Sequence, residues 1–214
     1  MNALGAGIRK GQRNFLDWIV GHFPGIGLDR RAESFVSHFK EFIPLRSRVL
    51  DIGGRWGFYA EPLQRLRSCD VTVLDVEEPK FSKVSVVTYG GERMPFPDGS
   101  FDVSLLVTVL HHVKVPEAVL AEAKRVTRGA VIVVEDLYQS AVGRLWTIVR
   151  DSLYNLEFFG HPRNFRTKAG WLDCFRNLGF EVAAEKEMVT SLLGLRILNG
   201  CFVLRTTNGK EPSF

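Results

Sequence analysis

The sequence predicts an α/β domain built on a mostly parallel sheet flanked by helices. Three observations predict it. From Val49 onward, short apolar runs alternate with amphipathic stretches, as they do where strands are covered by helices on both faces. The first run, Val49-Leu50-Asp51-Ile52, passes into the turn Gly53-Gly54-Arg55-Trp56-Gly57 ahead of a helical stretch. The second, Val71-Thr72-Val73-Leu74-Asp75, ends in a carboxylate 24 residues after Asp51.

Two helical patterns precede the sheet. Phe15, Leu16, Ile19, Val20 and Phe23 recur at helical spacing, and after the break Pro24-Gly25-Ile26-Gly27 so do Phe35, Val36, Phe39, Phe42 and Ile43, with Asp29 as a cap and Pro44 as the stop. Strands are expected at Arg48–Ile52, Val71–Val76, Val84–Tyr89, Phe101–Val107 and Ala130–Glu135. Helices are expected at Pro62–Arg67 and Pro116–Val126, the latter opening on proline, which the first helical turn tolerates. Pro97-Asp98-Gly99-Ser100 reads as a turn. Beyond the fifth strand, Ser140–Phe158 forms a helix with Leu145, Ile148, Val149, Leu153 and Leu156 on one side, broken by Gly160-His161-Pro162. A helix at Lys168–Leu178 and strand-like runs at Phe180–Ala184 and Cys201–Arg205 follow, with 192–199 left unassigned.

Composition narrows the function. With 214 residues, 45% hydrophobic and 24% charged, the chain has the proportions of one ordinary globular domain. Its longest apolar runs fall far short of the roughly 20 residues that span a bilayer. No secretory signal is legible behind Arg9, Lys10 and Arg13, so the expected location is the cytoplasm. Cys69, Cys174 and Cys201 are too widely spaced for a zinc knuckle or redox pair; they imply buried thiols and supply no metal site. The net charge of +4 arises from 28 basic and 24 acidic residues scattered without a basic run, which argues against a nucleic-acid partner.

The glycine turn admits two readings. Glycine lets backbone approach a ligand closely, and it also serves a tight strand-to-helix connection that needs no ligand. Asp75 at the tip of the neighbouring strand favours the first, since an acid there can accept both hydroxyls of a ribose. Gly53, Gly54 and Gly57 do not have the G-x-G-x-x-G spacing of a dinucleotide site. A carboxylate at Asp51 would repel a pyrophosphate and suits a ligand with a cationic amino-acid portion.

These residues resemble the class I S-adenosylmethionine (SAM) dependent methyltransferases, in particular their small-molecule, type 11 members. Asp51, Gly53 and Gly57 match the family's D/E-x-G-x-G-x-G, with Arg55 in the place of the middle glycine. The stretch 92–103, containing Met94-Pro95-Phe96-Pro97-Asp98-Gly99-Ser100-Phe101-Asp102-Val103, is similar to the family's L-P-F-x-D-x-S-F-D-V, and Leu110-His111-His112-Val113 to its L-H-H-V. The resemblance spans about residues 45–137 and implies a Rossmann-like, doubly wound seven-stranded sheet, mostly parallel with a C-terminal antiparallel hairpin, plus N-terminal helices. It divides the chain into a helical cap (1–44), a SAM-binding core (45–137), an insertion or lid (138–168) and a C-terminal helix with hairpin (169–214).

The resemblance also implies roles. Asp51 would lie near the methionine portion of SAM, with Gly53, Gly54 and Gly57 packed against it; Asp75 would hold the ribose. Val76 would border the adenine, with Gly90, Gly91 and Glu92 where relatives carry D-A-E. Arg55 could reach the cofactor's carboxylate or stand exposed. His111 and His112, just past the fourth strand, could take a proton from an acceptor hydroxyl, with Asp136 as orienter; a backbone-bonded histidine is the alternative. Asn/Asp-Pro-Pro-aromatic and Pro-Cys motifs of nucleic-acid methyltransferases are missing, which favours a small-molecule or lipid-like acceptor. Tyr138, Trp146, Tyr154, Phe158, Phe159 and Phe165 could roof an apolar pocket, or pack the annex. A catalytically silent SAM-fold binding protein is the competing class.

Overall fold

The computed structural model describes residues 3–23, 27–155, 162–192 and 194–206, with only the backbone described for 3–10 and 192. The expected break at residues 24–26, together with Leu156, Phe158, Phe159, Gly160 and His161, lies outside the described residues.

Seven strands form one sheet in the order β3-β2-β1-β4-β5-β7-β6. They are β1 (Arg48–Ile52), β2 (Asp70–Asp75), β3 (Val86–Thr88), β4 (Phe101–Val107), β5 (Thr127–Asp136), β6 (Phe180–Leu192) and β7 (Leu195–Thr206). The first five are mutually parallel; β7 lies antiparallel to both β5 and β6. The helices are α1 (Ala3–His22), α2 (Leu28–Phe39), α3 (Ala60–Arg67), α4 (Pro116–Val126), α5 (Ala141–Asn155) and α6 (Lys168–Asn177). Among the described residues no helix is long and apolar enough to cross a membrane.

Alternation along the strands divides the core. On β4, Val103, Leu105 and Val107 face the layer of Phe35, Val36, Phe39 and Leu63 from α2 and α3; Leu106 faces Leu120, Val126, Trp171 and Phe175 from α4 and α6. Each of these large side chains contributes roughly 1.5–3 kcal/mol by leaving water. Cys69, Cys174 and Cys201 are buried free thiols.

Three expectations are corrected. The helix after the glycine turn begins at Ala60, so Pro62 lies in its first turn, where a missing N–H leaves no intrahelical bond unmade. The third strand shrinks to three residues. The final hairpin is far longer than the two apolar runs: β6 carries Glu185-Lys186-Glu187 through its middle and shifts register between Val182 and Ala184, so the charges sit on an edge strand and the alternation is broken.

The helix after β5 is also turned against expectation. Leu145 is 63% exposed and Trp146 50%, with Val142, Val149 and Leu153 beside them, whereas Thr147, Arg150, Asp151 and Ser152 are buried. Trp146 therefore does not roof an apolar pocket, and a polar helix face closes over the carboxyl ends of β4 and β5.

Candidate active site

The carboxyl ends of β1, β2, β4 and β5 open into a cavity of about 580 Å³, within the ordinary range of small-molecule sites. Behind Gly54, next to the last residue of β1, Asp51 is 1% exposed, and neither carboxylate oxygen has a hydrogen-bond partner. The loop above is tight. A Cβ on Gly54 would lie 2.2 Å from Asp51 Oδ2, and one on Gly53 (φ 73°) 2.6 Å from Val109 Cγ2. Burial, reinforced by the charge of Asp75, pushes the Asp51 carboxyl up to about 7. Gly53 and Gly54 line the cavity; Gly57 turns away from it and packs on Val84.

Asp75, at the tip of β2, lines the cavity and accepts backbone N–H groups from Val76 at 2.7 Å, Glu77 at 3.3 Å and Arg55 at 3.2 Å. Burial lifts its carboxyl above the usual range despite these donors. Val76 and Tyr89 border the same space, whereas Gly90, Gly91 and Glu92 are exposed beyond it.

Arg55 is partly buried and lines the cavity, with its guanidinium held by the first helix. Its Nη2 and Nε donate to Asp17 Oδ1 on α1 at 2.8 and 3.2 Å, and its guanidinium lies 5.2 Å from the Trp56 ring. The same Asp17 accepts from Trp56 Nε1 at 2.9 Å and the Lys80 N–H at 3.0 Å. Burial opposes ionisation of Asp17, but these donors outweigh it and hold its carboxyl below the usual value. Asp17 thus ties the first helix to the glycine loop.

The histidine end of the cavity differs from expectation in one partner. Past β4 the chain passes through Thr108 (φ 54°) into a short turn, Leu110–His112, that brings both histidines to the cavity. His111, 1% exposed, meets Glu135, not Asp136: Nδ1 is 2.5 Å from Glu135 Oε2. Glu135 Oε1 accepts the Val109 and Leu110 N–H groups at 2.9 and 2.6 Å. The cause is strand parity. Val131, Val133 and Glu135 share the face of β5 toward α4, and Asp136 points to the other, where it accepts from Arg150 and, at 2.6 Å, from Asn199 Nδ2. The expected pairing of His111 with Asp136 is therefore absent.

Sequence reasoning missed Asp151 on the buried face of α5, whose Oδ1 lies 3.4 Å from His111 Nε2 and 3.9 Å from His112 Nε2. Burial opposes a charge on His111, but Glu135 and Asp151 together raise its pKa to about 10. Phe165 stacks on His111 at 4.5 Å, and the Asn164 N–H donates to the His111 carbonyl at 3.0 Å.

Residues 50–134 match the family model described as a methyltransferase domain. That segment of the chain is thus similar to a methyltransferase domain. It runs from β1 to β5 and contains the glycine loop, Asp75 and both histidines. Uncharacterized protein MJ1123 of Methanocaldococcus jannaschii is 27% identical over 151 residues, 70% of this chain and 71% of that one. Among solved structures, a SAM-dependent methyltransferase from Thermotoga maritima superposes with a TM-score of 0.63 at 21% identity, over 89% of this chain and 98% of that one. The [4+2]-cyclase SpnF superposes with a TM-score of 0.62 at 14% identity, over 83% of this chain and 81% of that one. At these identities the superpositions establish the fold alone.

Proposed function

We propose that the protein transfers a methyl group from SAM to a small-molecule or lipid-like acceptor seated at the histidine end of the cavity. The observation that carries this reading is Asp51, a buried carboxylate without a hydrogen-bond partner, beneath a loop that has no room for a Cβ. A buried carboxyl in that position is ionised most readily beside a cationic ligand, and SAM carries both an ammonium and a sulfonium. When bound, SAM supplies a methyl carbon activated by the sulfonium charge.

In this reading Gly53 and Gly54 give the ligand close access to backbone, Asp75 accepts ribose hydroxyls, and Val76 and Tyr89 flank the adenine. Gly90, Gly91 and Glu92 are left at the rim, and Arg55 acts as a strut through Asp17. In-line displacement chiefly requires alignment and exclusion of water. His111 and His112 align the acceptor, with Glu135 taking the orienting role expected of Asp136; Asp136 supports the α5 face through Arg150. The buried thiols suit a reducing compartment, so we place the protein in the cytoplasm. The second reading is a catalytically silent SAM-fold binding protein; a structure named for a different reaction, a [4+2]-cyclase, shares the fold.

Calorimetry tests the cofactor. SAM or its demethylated product should bind while NAD does not. Asp75→Asn, which keeps the side chain's shape, should lower affinity about 10–100-fold, the loss of one charge-assisted hydrogen bond. Silence toward both SAM and its product, in protein shown to be folded, would overturn the proposal.

A further inference from the structure

We infer that His111, His112 and Asp151 form a binding site for one divalent transition-metal ion. The three side chains line the same cavity, and their ligand atoms all lie within 4.8 Å of one another. Asp151 Oδ1 is 3.4 Å from His111 Nε2 and 3.9 Å from His112 Nε2. These separations are long for hydrogen bonds. They suit two ligands about 2.1 Å from a shared ion, which stand roughly 3.4 Å apart at a tetrahedral angle and farther apart at a wider one.

Outer partners orient the ligands. Glu135 meets His111 Nδ1 at 2.5 Å and is itself fixed by two backbone N–H groups, which turns Nε2 toward Asp151. That is the carboxylate–histidine–metal arrangement of protein sites. Asn155 Nδ2 donates to Asp151 Oδ1 at 2.7 Å.

Among the described residues two imidazoles and one carboxylate supply three ligands, the ligand set of zinc and related divalent ions in catalytic sites. Resting on the methyl-transfer reading, the ion would take an acceptor's hydroxyl oxygen, release its proton to water and hold the oxygen ionised. The acceptor class is then an oxygen nucleophile.

The experiment uses the full chain, stripped with chelator and titrated with Co²⁺ and Zn²⁺ alone. One equivalent of Co²⁺ should bind, with visible ligand-field absorption of a low-coordinate site, and Zn²⁺ should displace it. Asp151→Asn and His112→Gln should each weaken Co²⁺ binding at least about tenfold, and Glu135→Gln about 10–100-fold through His111; His22→Ala, on the exposed end of α1, should not. Thermal melts establish that each variant is folded, and half-exposed His112 serves where a buried variant unfolds. Absence of Co²⁺ and Zn²⁺ binding, or binding indifferent to these substitutions, overturns the inference. Binding of the demethylated cofactor without metal would sink only this site, and metal binding without cofactor binding only the methyl-transfer reading.

Discussion

Asp51→Asn should make the ligand-free protein more stable and a poorer binder of SAM. An Asp51 carboxyl held at about 7, against 3.8 in an open chain, is one that the fold keeps from ionising. Between those two values the folded chain retains a proton that the unfolded chain has lost. Stability therefore falls as pH rises through this window and levels off above about 7. The gap of about 3 pH units corresponds to ~4 kcal/mol lost by neutral-to-alkaline pH. Asparagine removes that loss, but its buried amide takes back about 1–3 kcal/mol where it finds no acceptor. The net gain of about 1–3 kcal/mol should raise the melting temperature of the ligand-free protein by roughly 2–10 °C at about pH 8.5 and not at all near pH 5. A cationic ligand favours the ionised carboxylate, so SAM binding near pH 6 should release a proton in the natural protein and none in the variant. Differential scanning fluorimetry across pH and calorimetry in buffers of differing ionisation enthalpy read both effects. A melting temperature of the natural protein that is flat from pH 5 to 8.5, with no gain in the variant, would refute the claim that Asp51 is an unrelieved buried charge.

Two other substitutions probe the frame around the site. Asp17→Ala strips the partner from Arg55 and from the Trp56 and Lys80 N–H groups; it should cost about 3 kcal/mol and lower SAM affinity through a loosened glycine loop, checked by melting and calorimetry. The inverted α5 predicts a contrast: Leu145→Lys should change stability by no more than about 0.5 kcal/mol, whereas Arg150→Met, which leaves Asp136 buried without its cation, should cost about 3–5 kcal/mol in denaturant unfolding.

Legibility in the sequence followed the range over which each feature is determined. Strands β1 and β4 and helix α4 match expectation residue for residue, because apolar periodicity and a first-turn proline are local signals. The tight glycine turn was legible for the same reason: it needs only a strand, small residues and a turn, all adjacent in the chain. Helix α5 shows the limit. Its amphipathic pattern gives two faces but does not say which one is buried, and Arg150 and Asp151 can turn inward only because Asp136 and His111, set by distant strands, are there to receive them. Parity defeated the acid next to His111 in the same way, since Glu135 and Asp136 are neighbours in sequence and opposites across the sheet. Arg55, read from its loop alone, is a ligand or a solvated side chain; its partner Asp17 lies 38 residues away on a helix whose apolar periodicity says nothing of a buried acid. Apart from Asp51, these polar side chains are buried where their partners are, so the place of each is a property of the pair, and the pairs around His111 are joined by the sheet rather than by the chain.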